Sequence, residues 1–95
     1  MHISEFQQMM KKVYFQKDFD RGVKANFDWL VDEVQELGEA IEGTNLKEIE
    51  KEFADVLAWL ASLANLLGIN LESAALDKYP NKCPKCQQSP CNCPA

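Results

Sequence analysis

Asp32-Glu33-Val34-Gln35-Glu36-Leu37-Gly38-Glu39-Ala40, and then, with fifteen residues between Glu36 and Glu52, Glu52-Phe53-Ala54-Asp55-Val56-Leu57, is the stretch from which the fold and the chemistry can both be read. On an α-helix each residue advances about 100°, so Glu33 and Glu36 lie roughly 60° apart, as do Glu52 and Asp55. Apolar residues share these segments at helical spacing, and each acidic pair falls to one side of its apolar stripe rather than opposite it. Carboxylates at the edge of a core are costly when unpaired, because burial penalises charge and like charges repel. A divalent cation removes that conflict. The competing reading of each pair taken alone is a solvated helix face, since Glu is a good helix former. Two such pairs on successive helices, each near a tryptophan (Trp29, Trp59), favour the cation.

Outward from this stretch, Phe27, Leu30, Val34, Leu37 and Ile41 keep a 3.6-residue register up to Gly43, and Thr44 and Asn45 offer the next N-cap. Ile49, Phe53, Val56, Leu60, Leu63 and Leu67 continue the pattern to Gly68. The short link predicts an antiparallel helical hairpin. Upstream, Phe6, Met9, Met10 and Val13 predict a first helix from Ser4 to about Gln16, with Ser4 as its cap. Lys17 to Gly22 reads as a loop, and a second helix begins near Val23 to Asn26. Asn70 is placed to cap a fourth helix, Leu71 to Lys78, ended by Pro80. The expected fold is all-α: a helical hairpin core of about four helices at residues 1–80, assembling by oligomerisation into a multi-helix bundle. A short Cys/Pro-rich tail occupies 81–95.

Composition narrows the partners. Apolar residues make up 46% of the 95 and charged ones 26%, the balance of a globular domain at the small end of what one chain stabilises alone. A net charge of −5 without a basic run argues against duplex nucleic acid as a partner. The apolar stretch Phe53 to Ile69 is broken by Asp55, Ser62, Asn65 and Gly68, and no charged segment precedes an apolar one at the N-terminus. The expectation is a cytoplasmic protein with no membrane partner.

The acidic stretch resembles the MazG-type motif, EExxE followed by ExxD. Trp29-Leu30 before it, the Gly68-Ile69-Asn70-Leu71 junction and the basic Lys78-Tyr79-Pro80 segment extend the resemblance over most of residues 3–80. Asp32 stands where the family has its first Glu. The resemblance implies that Glu33, Glu36, Glu52 and Asp55 ligate Mg²⁺, for which Mn²⁺ can substitute. It also implies hydrolysis of a nucleoside triphosphate to a monophosphate and pyrophosphate, in a homodimer or homotetramer. An oxygen-only donor set agrees with a hard cation. With His2 the only histidine, a zinc or di-iron centre in the helices is disfavoured.

Within that chemistry Glu36 and Glu39 are the candidate general bases, and the sequence does not choose between them. Glu48 reads as an outer acid or a solvated side chain. Lys24, Lys51 and Lys78 are candidate phosphate contacts, with Lys78 favoured by its place in the family-like segment. Trp29 is the preferred aromatic for contact with a base, although aromatics at the helical spacing of Trp29, Trp59, Phe6 and Tyr14 belong to a core more often than to a pocket. Cys83, Cys86, Cys91 and Cys93 supply the four thiolates of a structural Zn²⁺ site, with a redox dithiol or disulfide pair, or a disordered tail, as alternatives. Two rival functions stand beside the hydrolase: a non-catalytic helical interaction module with a zinc-binding tail, and a pyrophosphatase acting on a phosphoribosyl-nucleotide.

Overall fold

The computed structural model describes residues 1–95 and contains four helices and no strand. They are α1 (Ile3–Arg21), α2 (Val23–Ile41), α3 (Leu46–Leu67) and α4 (Leu71–Lys78). The expected hairpin is present: α2 and α3 form the most extensive pairing, and α1 lies chiefly along α3. Asn45 caps α3 by accepting from the Glu48 N–H at 3.2 Å, and Asn70 caps α4 by accepting from the Ser73 N–H at 2.9 Å. Gly68, at φ 68°, ends α3 in the left-handed region, and the following Ile69 N–H reaches back to the Ala64 carbonyl at 2.9 Å.

Two expectations at the N-terminal end are corrected. The cap of α1 is His2, not Ser4, and the His2 N–H donates to Glu5 Oε1 at 2.9 Å. The segment from Lys17 is helical rather than a loop, and the break contracts to Gly22 alone, whose φ of 93° suits a residue without Cβ. The polar residues that suggested a loop form the inside of the α1–α2 corner. Fully buried Asn26 donates through Nδ2 to the carbonyls of Asp18 (2.9 Å) and Gly22 (2.7 Å), and its Oδ1 accepts from Arg21 Nη1 at 2.9 Å. Arg21 Nη1 also donates to buried Asp18 Oδ1 at 3.0 Å. Internal bonding offsets the cost that would otherwise send these groups to water, for every one of these atoms except Asp18 Oδ2.

The apolar stripes of α2 and α3 are only half covered by the chain itself. Phe27 remains 50% exposed, Phe53 57% and Ile41 54%, while the buried apolar set is Met10, Ala61 and Ala64. With α1 lying mostly on α3 and barely on α2, one flank of the hairpin is open. No single helix is long and apolar enough to cross a membrane.

A polar latch ties α1 to the end of α3 and the start of α4. Buried Gln7 donates to Asn65 Oδ1 (3.1 Å) and to the Ile69 carbonyl (2.6 Å), and accepts from the Leu71 N–H (2.9 Å); Asn65 Nδ2 returns a bond to the Gln7 carbonyl at 3.1 Å. Gln7→Ala strands these partners and is expected to destabilise the fold by about 2 kcal/mol. Urea unfolding followed by circular dichroism checks this. An unchanged midpoint would mean that the latch contributes no net stability.

Candidate metal centre and adjoining cleft

The hairpin places chemically matched residues at equal distances from its turn. Moving toward the turn, Trp29, Glu33 and Glu36 follow one another at steps of four and three on α2, and Trp59, Asp55 and Glu52 at the same steps on α3. An antiparallel pair with that register sets tryptophan against tryptophan and acid against acid. The two indoles stack, with ring centroids 5.6 Å apart and planes 14° from parallel, and the Arg21 guanidinium carbon lies 4.9 Å from the Trp59 ring.

One turn further along, Glu33, Glu36 and Glu52 bring carboxylate oxygens within 4.8 Å of one another. Asp55 belongs to the same electrostatic neighbourhood, since its charge acts on both Glu33 and Glu52. Glu33 and Glu52 are half-buried, and loss of water is the first cause that holds both carboxyls above their usual range. The charges of Glu36 and Asp55 push the same way, joined by Glu52 at Glu33 and by Glu48 at Glu52. Oε2 of Glu33 and Oε2 of Glu52 are shut off from solvent with no hydrogen-bond donor. Clustered acids with two orphaned buried oxygens lack positive charge, and an all-oxygen donor set fits a hard divalent cation.

Asp55 also borders a cleft of about 280 Å³ between α1 and α3, whose wall includes Tyr14, Lys17, Asp18, Arg21 and Trp59. Asp18 keeps Oδ2 buried and without a partner. No sequence motif marks Lys17, Asp18 or Arg21 as functional. The available signal was their recurrence with Met10 and Tyr14 at helical intervals, which the high density of short polar residues concealed.

The remaining candidates are dispersed. Glu39 is exposed on α2 and stands outside the close group formed by Glu33, Glu36 and Glu52. Lys24 pairs with Asp28 at 3.2 Å, and Lys51 with Glu48 at 3.6 Å, both on exposed surface. Lys78 Nζ lies 5.8 Å from the Tyr79 ring centroid. Neither Lys24 nor Lys78 lines the cleft. Trp29 is committed on one side to Trp59 but stays half-exposed. In the tail, all four cysteines are free thiols and their sulfurs converge within 4.8 Å of one another.

An antiparallel helical hairpin that gathers acids from both its helices into one oxygen-rich group defines an all-α carboxylate-cluster protein. Its family is more particular. The profile described as the MazG nucleotide pyrophosphohydrolase domain matches residues 21–87, and the chain belongs to that family. A comparison with curated proteins finds none that matches the chain.

Proposed function

We propose that this protein hydrolyses nucleoside triphosphates between the α- and β-phosphates, releasing pyrophosphate and a nucleoside monophosphate, with Mg²⁺ held by Glu33, Glu36, Glu52 and Asp55. The observation that carries this reading is the converged acid group with its two unpartnered oxygens, in a chain of the pyrophosphohydrolase family. Mn²⁺, also served by oxygen ligands, is expected to substitute. Bound there, the ions would offset charge on the phosphates and acidify a water for attack at phosphorus.

The protein's own residues divide the other tasks. Glu36 and Glu39 are the carboxylates offered for accepting the water proton; Glu36 belongs to the ligand group, whereas Glu39 lies outside it. Arg21 and Lys17, on the cleft wall beside Asp55, supply positive charge for the phosphate chain, and the buried Asp18 Oδ2 offers an acceptor to a donor on the nucleotide. Trp29 serves as an outer substrate contact, whereas Lys24 and Lys78 stand on surface away from the cleft.

The half-covered apolar stripes support a homodimer or homotetramer as the working form, because solvent-facing Phe27, Ile41 and Phe53 gain most from burial against another copy. A reducing cytoplasm suits both the free thiols and a triphosphate substrate.

Pyrophosphate release from standard and damaged ribo- and deoxynucleoside triphosphates, and from a phosphoribosyl-nucleotide, with and without Mg²⁺, tests the assignment. Metal-dependent release from a triphosphate is expected. Release from the phosphoribosyl-nucleotide alone would move the assignment to that substrate class, and no release from any of them would favour the non-catalytic interaction module.

A further inference from the structure

Residues 79–95 follow the last helix with no regular secondary structure and no buried side chain, yet the chain folds back on itself there. The Cys83 N–H donates to the Gln88 carbonyl at 3.0 Å, and the Gln87 N–H to the Cys83 carbonyl at 2.8 Å. Cys83 opens this turn and Cys86 lies within it. Gln87 adopts φ 60°, a conformation that a residue with Cβ takes up at a cost. Apolar burial does not account for so tight a turn in this segment, so another interaction must hold it closed.

The sulfurs supply that interaction. Cys83 Sγ and Cys93 Sγ lie 3.7 Å apart, Cys86 Sγ and Cys91 Sγ 3.9 Å apart, and all four fall within 4.8 Å of one another. A Zn–S bond of about 2.3 Å in a regular tetrahedron separates its sulfurs by about 3.8 Å. A disulfide would bring two sulfurs to about 2.05 Å, which no pair here approaches. Each half of the pairing joins one cysteine of the Cys83-x-x-Cys86 arm to one of the Cys91-x-Cys93 arm, so closure links the two arms rather than each arm to itself. Backbone N–H groups turn toward the same sulfurs: Asn92 donates to Cys86 Sγ and Cys93 to Cys91 Sγ, each at 3.3 Å. Donors aimed at sulfur spread the negative charge that four thiolates would carry around one cation.

We propose that Cys83, Cys86, Cys91 and Cys93 bind a single Zn²⁺ as a tetrathiolate and that this ion closes the tail. The site is separate from the carboxylate group, takes a soft-ligand metal rather than a hard one, and straddles the end of the family match at residue 87. Its work is structural. With all four positions filled by protein sulfur, no coordination site is left open for a substrate.

The test uses the full-length chain. Metal analysis of protein purified without chelator is expected to give one Zn²⁺ per chain. Replacement of that ion by Co²⁺ is expected to give the intense visible bands of tetrahedral thiolate coordination, and thiol titration should find the four cysteines protected until the metal is released. In the double variant Cys83→Ser/Cys86→Ser the zinc should be lost, with helical content and Mg²⁺-dependent turnover retained. Limited proteolysis should then cut residues 81–95 at least ten-fold faster. Protein free of metal with four reactive thiols even after incubation with Zn²⁺, a disulfide in protein isolated under reducing conditions, or iron in place of zinc would each overturn the proposal. The Co²⁺ spectrum of the unaltered chain decides the matter even if the variant misfolds.

Discussion

Glu52→Gln is expected to lower kcat/KM for pyrophosphate release by about 10³-fold, the scale on which removing one preorganised electrostatic partner of a phosphoryl-transfer centre is felt. The substitution keeps the size and shape of the side chain, removes its charge and exchanges one acceptor oxygen for an amide donor. The same variant should be more stable than the unaltered protein without divalent metal. Glu52 sits beside Glu36, Asp55 and Glu48 with one oxygen cut off from water, so its charge is a burden on the empty fold. The pH dependence has a definite sign. A carboxyl whose folded pKa is raised is penalised above that pKa and relieved when protonated. The stability gap between Glu52→Gln and the unaltered chain should therefore be widest near neutral pH and close as pH falls through the raised pKa. Thermal melts in metal-free buffer at several pH values, together with steady-state kinetics, check both halves. Full activity in the variant would remove Glu52 from the centre.

Mg²⁺ is expected to raise the melting temperature for the same electrostatic reason. At free Mg²⁺ about one hundred times its dissociation constant, binding to the folded state alone contributes about 2.7 kcal/mol, or about 10–20 °C for a domain of this size. Glu33→Gln/Glu52→Gln should lose most of that increment, because it removes the charge behind both unpartnered oxygens. Lowering the pH should shrink the increment in the unaltered chain, as protons compete for Glu33 and Glu52. The reference sample should be prepared by withholding Mg²⁺ rather than by adding a chelator, which would also reach the tail thiolates. A melting temperature indifferent to Mg²⁺ across this range would show that the acids do not hold the ion with useful affinity.

Much of this arrangement could be read from the chain because it depends on local periodicity. The spacing of Glu33 and Glu36, and of Glu52 and Asp55, fixes their helix faces once the segments are helical, and Asn45, Asn70 and Gly68 mark helix ends through bonds made within a few residues. The four helices and the cysteine-rich tail followed from the same kind of information. The α1–α2 corner did not. Asp18, Arg21 and Asn26 have the composition of a loop, and only their mutual hydrogen bonds make a helix that runs to Arg21 cheaper than an exposed turn. As a result the cleft beside Asp55, with Lys17 and Arg21 on its wall, escaped the sequence reading, while Lys24 and Lys78 drew attention to surface outside it.

The sequence by itself determined the number and order of the helices, the pairing of α2 with α3 and the side of each of these two helices that carries acid, because these depend on angular spacing along one chain and on a turn too short for any other connection. Tertiary structure alone decided which oxygens lose their water, which cations face the cleft, and how much of each apolar stripe is covered. Desolvation and charge coupling depend on what comes close in space, and the residues that set them here, from α1 against α3 and from Glu36 against Glu52, are distant in sequence.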